Sequence, residues 1–263
     1  MIAGDIGRQN TVFKFYMQVW ILFSIVGGAA FAWLLQHSIY WKNRVRAAWY
    51  LFAATLFVLA GLYPIMATRA RALDRMAPQV GMVLDGMEYM REAKHREFNF
   101  ETQQAQEISL IHDYNIIRWL QDNVEGTPYI VEGRSRASEY QWNGRINIYT
   151  GLPSVLGWNH HQRQQRTLQD HNKLVDQRAA NIIAFYKSPD IDYALRFLRY
   201  YDVSYIIVSE LERIQGTEEG IAKFAHMVEL GYLTQVYTDG VGIIYEVNQD
   251  ALWNPYQQEG EPQ

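Results

Sequence analysis

Two long apolar runs near the N-terminus are the strongest feature of the hydropathy pattern. No charged side chain lies between Phe15 and Trp41, and none lies between Ala47 and Thr68. A helix that crosses the hydrocarbon core of a bilayer needs about 20 mostly apolar residues. The pattern therefore predicts two membrane-spanning helices, over 12–35 and 47–66, with aromatic residues near their ends, where such rings suit the interface.

Polar and small residues within these runs add detail to that prediction. Lys14 lies one turn inside the first run, where its side chain either snorkels to the headgroups or faces a polar cavity between helices. The small residues from Gly27 to Ala30 would permit close contact with another helix. Basic residues lie between the runs and on both outer flanks, so charge alone does not set the orientation. Two spans place both termini on the same side of the membrane.

From about residue 78 the pattern changes to alternating helical and strand signals. Amphipathic spacing predicts helices over 106–123, from a Ser188 cap to about Tyr201, and after a Thr217 cap, and 162–186 also looks helical. Short apolar runs predict strands over 129–131 and 203–208, and Asp239-Gly240 indicates a hairpin. These units predict an α/β fold, with two transmembrane helices followed by a small mixed α/β soluble domain that carries a C-terminal β-hairpin.

The predicted organisation has four parts. A two-helix transmembrane region (1–66) is followed by a linker (67–80), the α/β domain (81–253) and a polar tail (254–263).

Composition and motifs exclude several classes of protein. The formal net charge of −4 argues against a general nucleic-acid binder, and the lack of cysteine excludes disulfides, thiolate metal sites and cysteine catalysis. The sequence has no phosphate-binding loop, dinucleotide fingerprint, nucleophile elbow or His-Glu-x-x-His zinc motif. We therefore predict no catalytic residue, no cofactor and no metal for this chain.

The segment 144–166 has the most unusual composition, and much of it is expected to be loop, because four glycine and proline positions interrupt it. An aromatic ring beside guanidinium and imidazole donors would suit a sugar or a phosphate. The candidate substrate-binding residues are Arg145, Trp158, His160, His161 and Arg163. Two alternatives remain: an ordered loop that caps the sheet with Trp158 as its anchor, and a metal site, for which adjacent histidines are a poor signal.

Acidic residues near the predicted strand over 129–131 suggest ion pairs. Glu132 and Glu139 could pair with Arg134, Arg136 or Arg145. A surface salt bridge is the favoured interpretation, and an active-site acid at the strand end is the alternative.

Three segments resemble a known family of membrane proteins. NTVFKFY (10–16), LDGMEYM (84–90) and GRINIYTGLPSVLGWNHHQRQQR (144–166) look like segments of the uncharacterised YYY-type polytopic membrane proteins, in the same order. The resemblance implies a link to GT-C glycosyltransferases, which use lipid phosphosugars and carry a catalytic acid on an early extracytoplasmic loop. This chain resembles only the C-terminal part, the last two spans and the soluble domain, and lacks that early loop.

The resemblance implies an integral protein of the cell membrane with an extracytoplasmic soluble domain. Our leading hypothesis is a membrane-anchored C-terminal module of a GT-C-like protein, which assists glycan or acceptor binding without catalysing a reaction alone. The alternative is a non-enzymatic subunit of a membrane complex, and a metal-dependent hydrolase is a third hypothesis. Expected partners are the lipid bilayer, other membrane subunits that carry the remaining spans, and a glycan or lipid-linked sugar, but not nucleic acid.

Overall fold

The computed structural model describes residues 9–75, 78–81, 83–99, 102–134, 141–165 and 171–253. The chain divides into two compact units, Asp5–Pro78 and Gln79–Gln263, which we call the two-helix unit and the globular unit. The division lies within the predicted linker. The tail over 254–263, together with Arg136, Glu139 and Arg166, lies outside the described residues.

The two-helix unit consists of two long helices, α1 (Gln9–His37) and α2 (Asn43–Arg75), joined through a short 3-10 turn (Ser38–Tyr40). Both are long and apolar enough to cross a membrane, and none of either apolar stretch is buried by the protein. The helices touch where the Phe31 ring packs on Trp49 and Phe57, with centroids 5.6 and 5.2 Å apart. The two predicted spans are thus two helices, and α2 continues into the segment predicted as a linker.

A four-stranded mixed sheet forms the centre of the globular unit. Its order is β3-β4-β6-β5, in which β3 and β4 are parallel and the other neighbours are antiparallel. The strands of this unit are β1 (Lys94–Asn99), β2 (Gln104–Ser109), β3 (Tyr129–Val131), β4 (Val203–Val208), β5 (Leu233–Thr238) and β6 (Ile243–Val247). The predicted strands over 129–131 and 203–208 are confirmed, as is the hairpin, in which Gly240 adopts a positive φ of 95°.

Helices cover both faces of this sheet. They are α3 (Ile111–Asn123), α4 (Arg145–Thr150), α5 (Asn159–Gln165), α6 (His171–Lys187), α7 (Ile191–Tyr201), α8 (Glu210–Gln215), α9 (Glu218–Glu229) and α10 (Gln249–Trp253). Alternate residues of β4 face opposite hydrophobic clusters, because successive side chains of a strand point to opposite faces. Ile206 packs with α6, α7 and α9, whereas Ile207 packs with α3, α4 and α8. The predicted α/β fold is confirmed.

Two local predictions were wrong. The helix over 106–123 begins only at Ile111, because Gln104–Ser109 forms β2 and pairs antiparallel with β1. The cap of α7 is Asp190, whose side chain accepts a hydrogen bond from the Tyr193 amide, and not Ser188. The loop expected within 144–166 spans 151–158 and joins two short helices, α4 and α5, which were not predicted. The predicted Thr217 cap of α9 is confirmed, since its hydroxyl accepts the Gly220 amide at 3.0 Å.

Candidate functional site

A groove of about 280 Å³ lies between α4 and the segment that enters α5. Its wall on the α4 side carries an amide and an aliphatic side chain, and its other wall carries an indole, an imidazole and a second amide. The lining residues are Gly144, Asn147, Ile148, Gly157, Trp158, His161 and Gln162. All of them lie within 144–166, the segment that the sequence singled out.

Two glycines and one hydrogen bond give this groove its shape. Gly144 and Gly151 bracket α4 with positive φ angles of 89° and 77°, a conformation in which glycine carries no Cβ penalty. The Trp158 indole N–H donates to the Asn143 carbonyl at 2.9 Å, which ties the ring to the segment before α4. The His161 ring lies 5.9 Å from the Trp158 ring, between centroids. The indole is therefore held in place as part of the groove wall.

The structure brings only some of the predicted site residues together. Trp158 and His161 line the groove, and His160 lies next to it, 6.0 Å from the His161 ring. Arg163 forms an ion pair with Asp176 on α6. Arg145, the first residue of α4, is fully buried, and its guanidinium does not line the groove.

Arg145 is the centre of a buried cluster that also contains Asp113, Glu132 and Glu212. Its Nη2 donates to Glu212 at 2.9 Å and its Nη1 to Glu132 at 3.2 Å. Its Nε lies 2.8 Å from the Asp113 carboxylate, as an ion-pair contact without linear hydrogen-bond geometry. All four side chains are at most 4% exposed. Three carboxylates thus share one guanidinium.

Neutral donors complete this cluster. Ser209 donates its hydroxyl to Asp113 at 2.7 Å, and the Trp142 indole donates to the same carboxylate at 2.6 Å. Glu212 accepts the backbone amides of Gly133 and Ser209 at 2.6 and 2.8 Å. Buried charges persist in proteins when such partners satisfy them.

Burial changes the protonation of this cluster. It raises the pKa of Glu132 to about 7, even though Arg145 and the amides of Ile146 and Asn147 act in the opposite direction. Burial also acts to lower the pKa of Arg145, but the carboxylates of Asp113, Glu212 and Glu132 outweigh it and raise that pKa well above its ordinary value. Arg145 is therefore charged at every pH at which the fold exists, whereas Glu132 titrates near neutrality.

The cluster and the groove share α4. The Glu132 carboxylate accepts the Ile146 amide at 3.2 Å and the Asn147 amide at 3.5 Å, in the first turn of this helix. The Asn147 side chain lines the groove, and its Oδ1 is buried with no hydrogen-bond partner among the described residues.

The sequence indicated only part of this arrangement. The pairing of Glu132 with Arg145 is confirmed, but the preferred interpretation as a surface salt bridge was wrong, because the pair is buried. Asp113, Glu212 and Ser209 were missed as partners. One signal was readable: Ser209 and Glu212 form a capping box at the start of α8, a Ser-x-x-Glu pattern that follows a strand.

The polar groups of the groove are suited to hydrogen bonding with a ligand. They are amides and an imidazole, which donate and accept hydrogen bonds. Within the described part of the chain, no group of three or more histidine and acidic side chains is placed to hold a metal ion.

Comparisons with known proteins include a similar solved structure. No protein-family model matches the chain, and no curated protein matches it. The globular domain at the C-terminus of an oligosaccharyltransferase from Archaeoglobus fulgidus is similar with a TM-score of 0.33 and 13% identity. The similarity covers 52% of this chain and 97% of that domain.

Proposed function

We propose that this protein is a membrane-anchored module that binds a glycan or a saccharide acceptor in the groove beside Trp158 and so assists a glycosyltransferase of the GT-C type. The observation that carries the proposal is the groove itself, in which a fixed indole stands opposite the side-chain amide of Asn147. Two helices of membrane-spanning length supply the anchor.

The lining suits a saccharide for two reasons. A sugar ring presents an apolar face of C–H groups, which packs on an indole, and a rim of hydroxyls that donate and accept hydrogen bonds. Asn147 and Gln162 line the groove, and side-chain amides donate to and accept from hydroxyl groups. The groove volume lies near the lower end of the range for small-molecule sites, which suits one or two sugar rings.

The predicted site residues take different parts in this proposal. Trp158 and His161 contact the sugar, while His160 and Arg163 flank the site. Arg145 supports the wall from below through its buried carboxylate partners. The proposal assigns no bond-making step to this chain, since catalysis would use residues of a partner chain.

Saturation-transfer NMR on the full chain in lipid nanodiscs tests the proposal. The probes are maltose, cellobiose and N,N′-diacetylchitobiose, which differ in linkage and in the acetamido group. We expect at least one to bind, and Trp158→Ala to weaken its binding by roughly tenfold, because the stacking surface is lost.

Trp253→Ala is the matched control, since this tryptophan is 56% exposed at the end of α10 and does not line the groove. It should bind the probe as the wild type does, and circular dichroism should confirm that both variants are folded. Equal binding by wild type and Trp158→Ala would refute the assignment of the groove.

A second candidate function is that of a subunit in a membrane complex. Gly27 and Gly28 on α1 have open space where a Cβ would be, so α2 does not cover this small-residue surface. A helix of another subunit could pack closely there. Replacing both glycines by leucine should then release partner proteins during purification in mild detergent. Gly61→Leu, at an equally open position on α2, is the control that should retain them.

A further inference from the structure

The Glu132 carboxylate connects the buried charge cluster to the wall of the groove. It accepts hydrogen bonds from the Arg145 guanidinium at 3.2 Å and from the backbone amides of Ile146 and Asn147 at 3.2 and 3.5 Å. Asn147 and Ile148 carry this contact to the groove, because their side chains line it. Glu132 itself follows β3 and is rigidly placed, since the next residue, Gly133, donates its amide to Glu212.

Several charged or titratable groups face Glu132 from the elements around it. Arg145 of α4 is the only cation that bonds to it among the described residues, and Glu212 of α8 is the neighbouring carboxylate that opposes its ionisation. The remaining groups of this environment are Asp113 of α3, which shares Arg145, Tyr186 of α6, which donates to the Val131 and Ile207 carbonyls, and Arg134, which donates to the Gly157 carbonyl.

We propose that Glu132 is the positioning residue of the groove and that its proton regulates ligand binding: the ionised carboxylate holds the first turn of α4 in place, and proton uptake releases it. This inference rests on the proposed function for the ligand, but not for the movement of α4.

The geometry explains why a proton acts at this point. An ionised carboxylate accepts three donors at once, and hydrogen bonds to it are roughly twice as strong as bonds between neutral groups. A protonated carboxyl keeps weaker acceptor oxygens and gains an O–H donor. The proton also reduces the excess of three carboxylates over one guanidinium, and burial raises the pKa of Glu132 to about 7. Acidification therefore weakens the attachment of α4 and lowers the affinity of the groove.

Hydrogen exchange in the ligand-free chain tests the movement. Exchange is measured in lipid nanodiscs between about pH 8 and about pH 6 and is corrected for the intrinsic rate. This range brackets the pKa of Glu132, which burial raises to about 7. We expect the protection of the Ile146 and Asn147 amides to fall by roughly fivefold at the acid end. The Gly133 amide, which donates to Glu212 in the same cluster, should keep its protection.

Two variants separate Glu132 from its neighbours. Glu132→Gln, which imitates the protonated form, should show the lower protection of Ile146 and Asn147 at both ends of the pH range. Glu212→Gln removes a carboxylate from the same guanidinium without touching these amides. It should keep their pH dependence but move its midpoint to lower pH, because Glu212 opposes the ionisation of Glu132. Constant protection of Ile146 and Asn147 in the wild type, or an equal fall for Gly133, would overturn the proposal without any variant having to fold.

The pH dependence of disaccharide affinity is the second test of this proposal. With a disaccharide that binds the wild type, affinity should fall by roughly fivefold from about pH 8 to about pH 6, and Glu132→Gln should bind weakly at both. Affinity that does not change with pH in the wild type would overturn the regulatory role. If none of the three disaccharides binds, the proposed function fails, and the exchange measurement still decides whether Glu132 holds α4.

Discussion

Removal of the buried guanidinium offers the sharpest test of the energetics of the globular unit. In Arg145→Met, an apolar side chain of similar length replaces a group that lies within 3.2 Å of three carboxylates. Breaking a buried ion pair by removing one partner costs about 3–5 kcal/mol, because the other charge stays buried without compensation. We expect the free energy of unfolding to fall by about 4 kcal/mol near neutral pH.

The sign of the pH dependence adds a second criterion. Arg145 acts to lower the pKa of Glu132, so its removal raises that pKa further. A carboxyl with a raised pKa penalises the fold when it is ionised, and the penalty disappears as pH falls and the group takes up a proton. The stability deficit of Arg145→Met should therefore shrink as pH falls from alkaline values toward about 7, the pKa of Glu132 in the wild type.

Urea unfolding of the full chain in detergent micelles, followed by near-ultraviolet circular dichroism, measures both effects. Arg163→Met is the matched control, since its partner Asp176 is 64% exposed and exposed pairs contribute about 1 kcal/mol or less. An Arg145→Met deficit no larger than that of the control, or one that grows as pH falls, would refute the reasoning.

Three further predictions concern other parts of the chain. Burial lowers the pKa of Lys223 to about 7, so Lys223→Met should stabilise the globular unit by about 1–3 kcal/mol near pH 7, and urea titrations should show this gain shrinking as pH rises toward the ordinary value of 10.5. Gly220→Ala should lower the melting temperature more than Gly240→Ala does. The new Cβ at position 220 would lie 2.3 Å from the Tyr186 carbonyl oxygen, whereas position 240 has open space and only backbone strain. In sealed vesicles of the cysteine-free chain, an impermeant thiol reagent should label Lys42→Cys and Tyr200→Cys from opposite sides, and labelling from one side would contradict two spans.

The sequence predicted the sheet well because its signals are local. The VSYIIV run that became β4 and the Asp239-Gly240 turn each specify their structure within a few residues. The hairpin of β1 and β2 was missed because Gln106 and Glu107 are polar and exposed, so no apolar alternation reveals a strand there. These residues of β2 pair with β1, and Lys94 forms an ion pair with Glu107 across the two strands at 3.1 Å.

The candidate site was only partly predictable for two physical reasons. Gly144 and Gly151 indicated a loop, but they flank the short helix α4, where both adopt positive φ angles. The buried cluster joins residues from α3, α4, α8 and the end of β3, and Arg145 and Glu212 are 67 positions apart in the chain. Only the sheet topology brings these elements together. For the same reason Arg145, which was predicted to contact the ligand, lies in the buried charge cluster instead.

The most direct test of the central claim, that the groove beside Trp158 binds a saccharide, is the indole N–H resonance of this residue. The full chain is labelled with ¹⁵N-tryptophan, placed in lipid nanodiscs and titrated with the three disaccharides, and the resonance is assigned by Trp158→Phe. We predict that the Trp158 signal shifts and saturates with at least one disaccharide while that of Trp253 stays in place. A Trp158 signal that does not move with any of them would contradict the account.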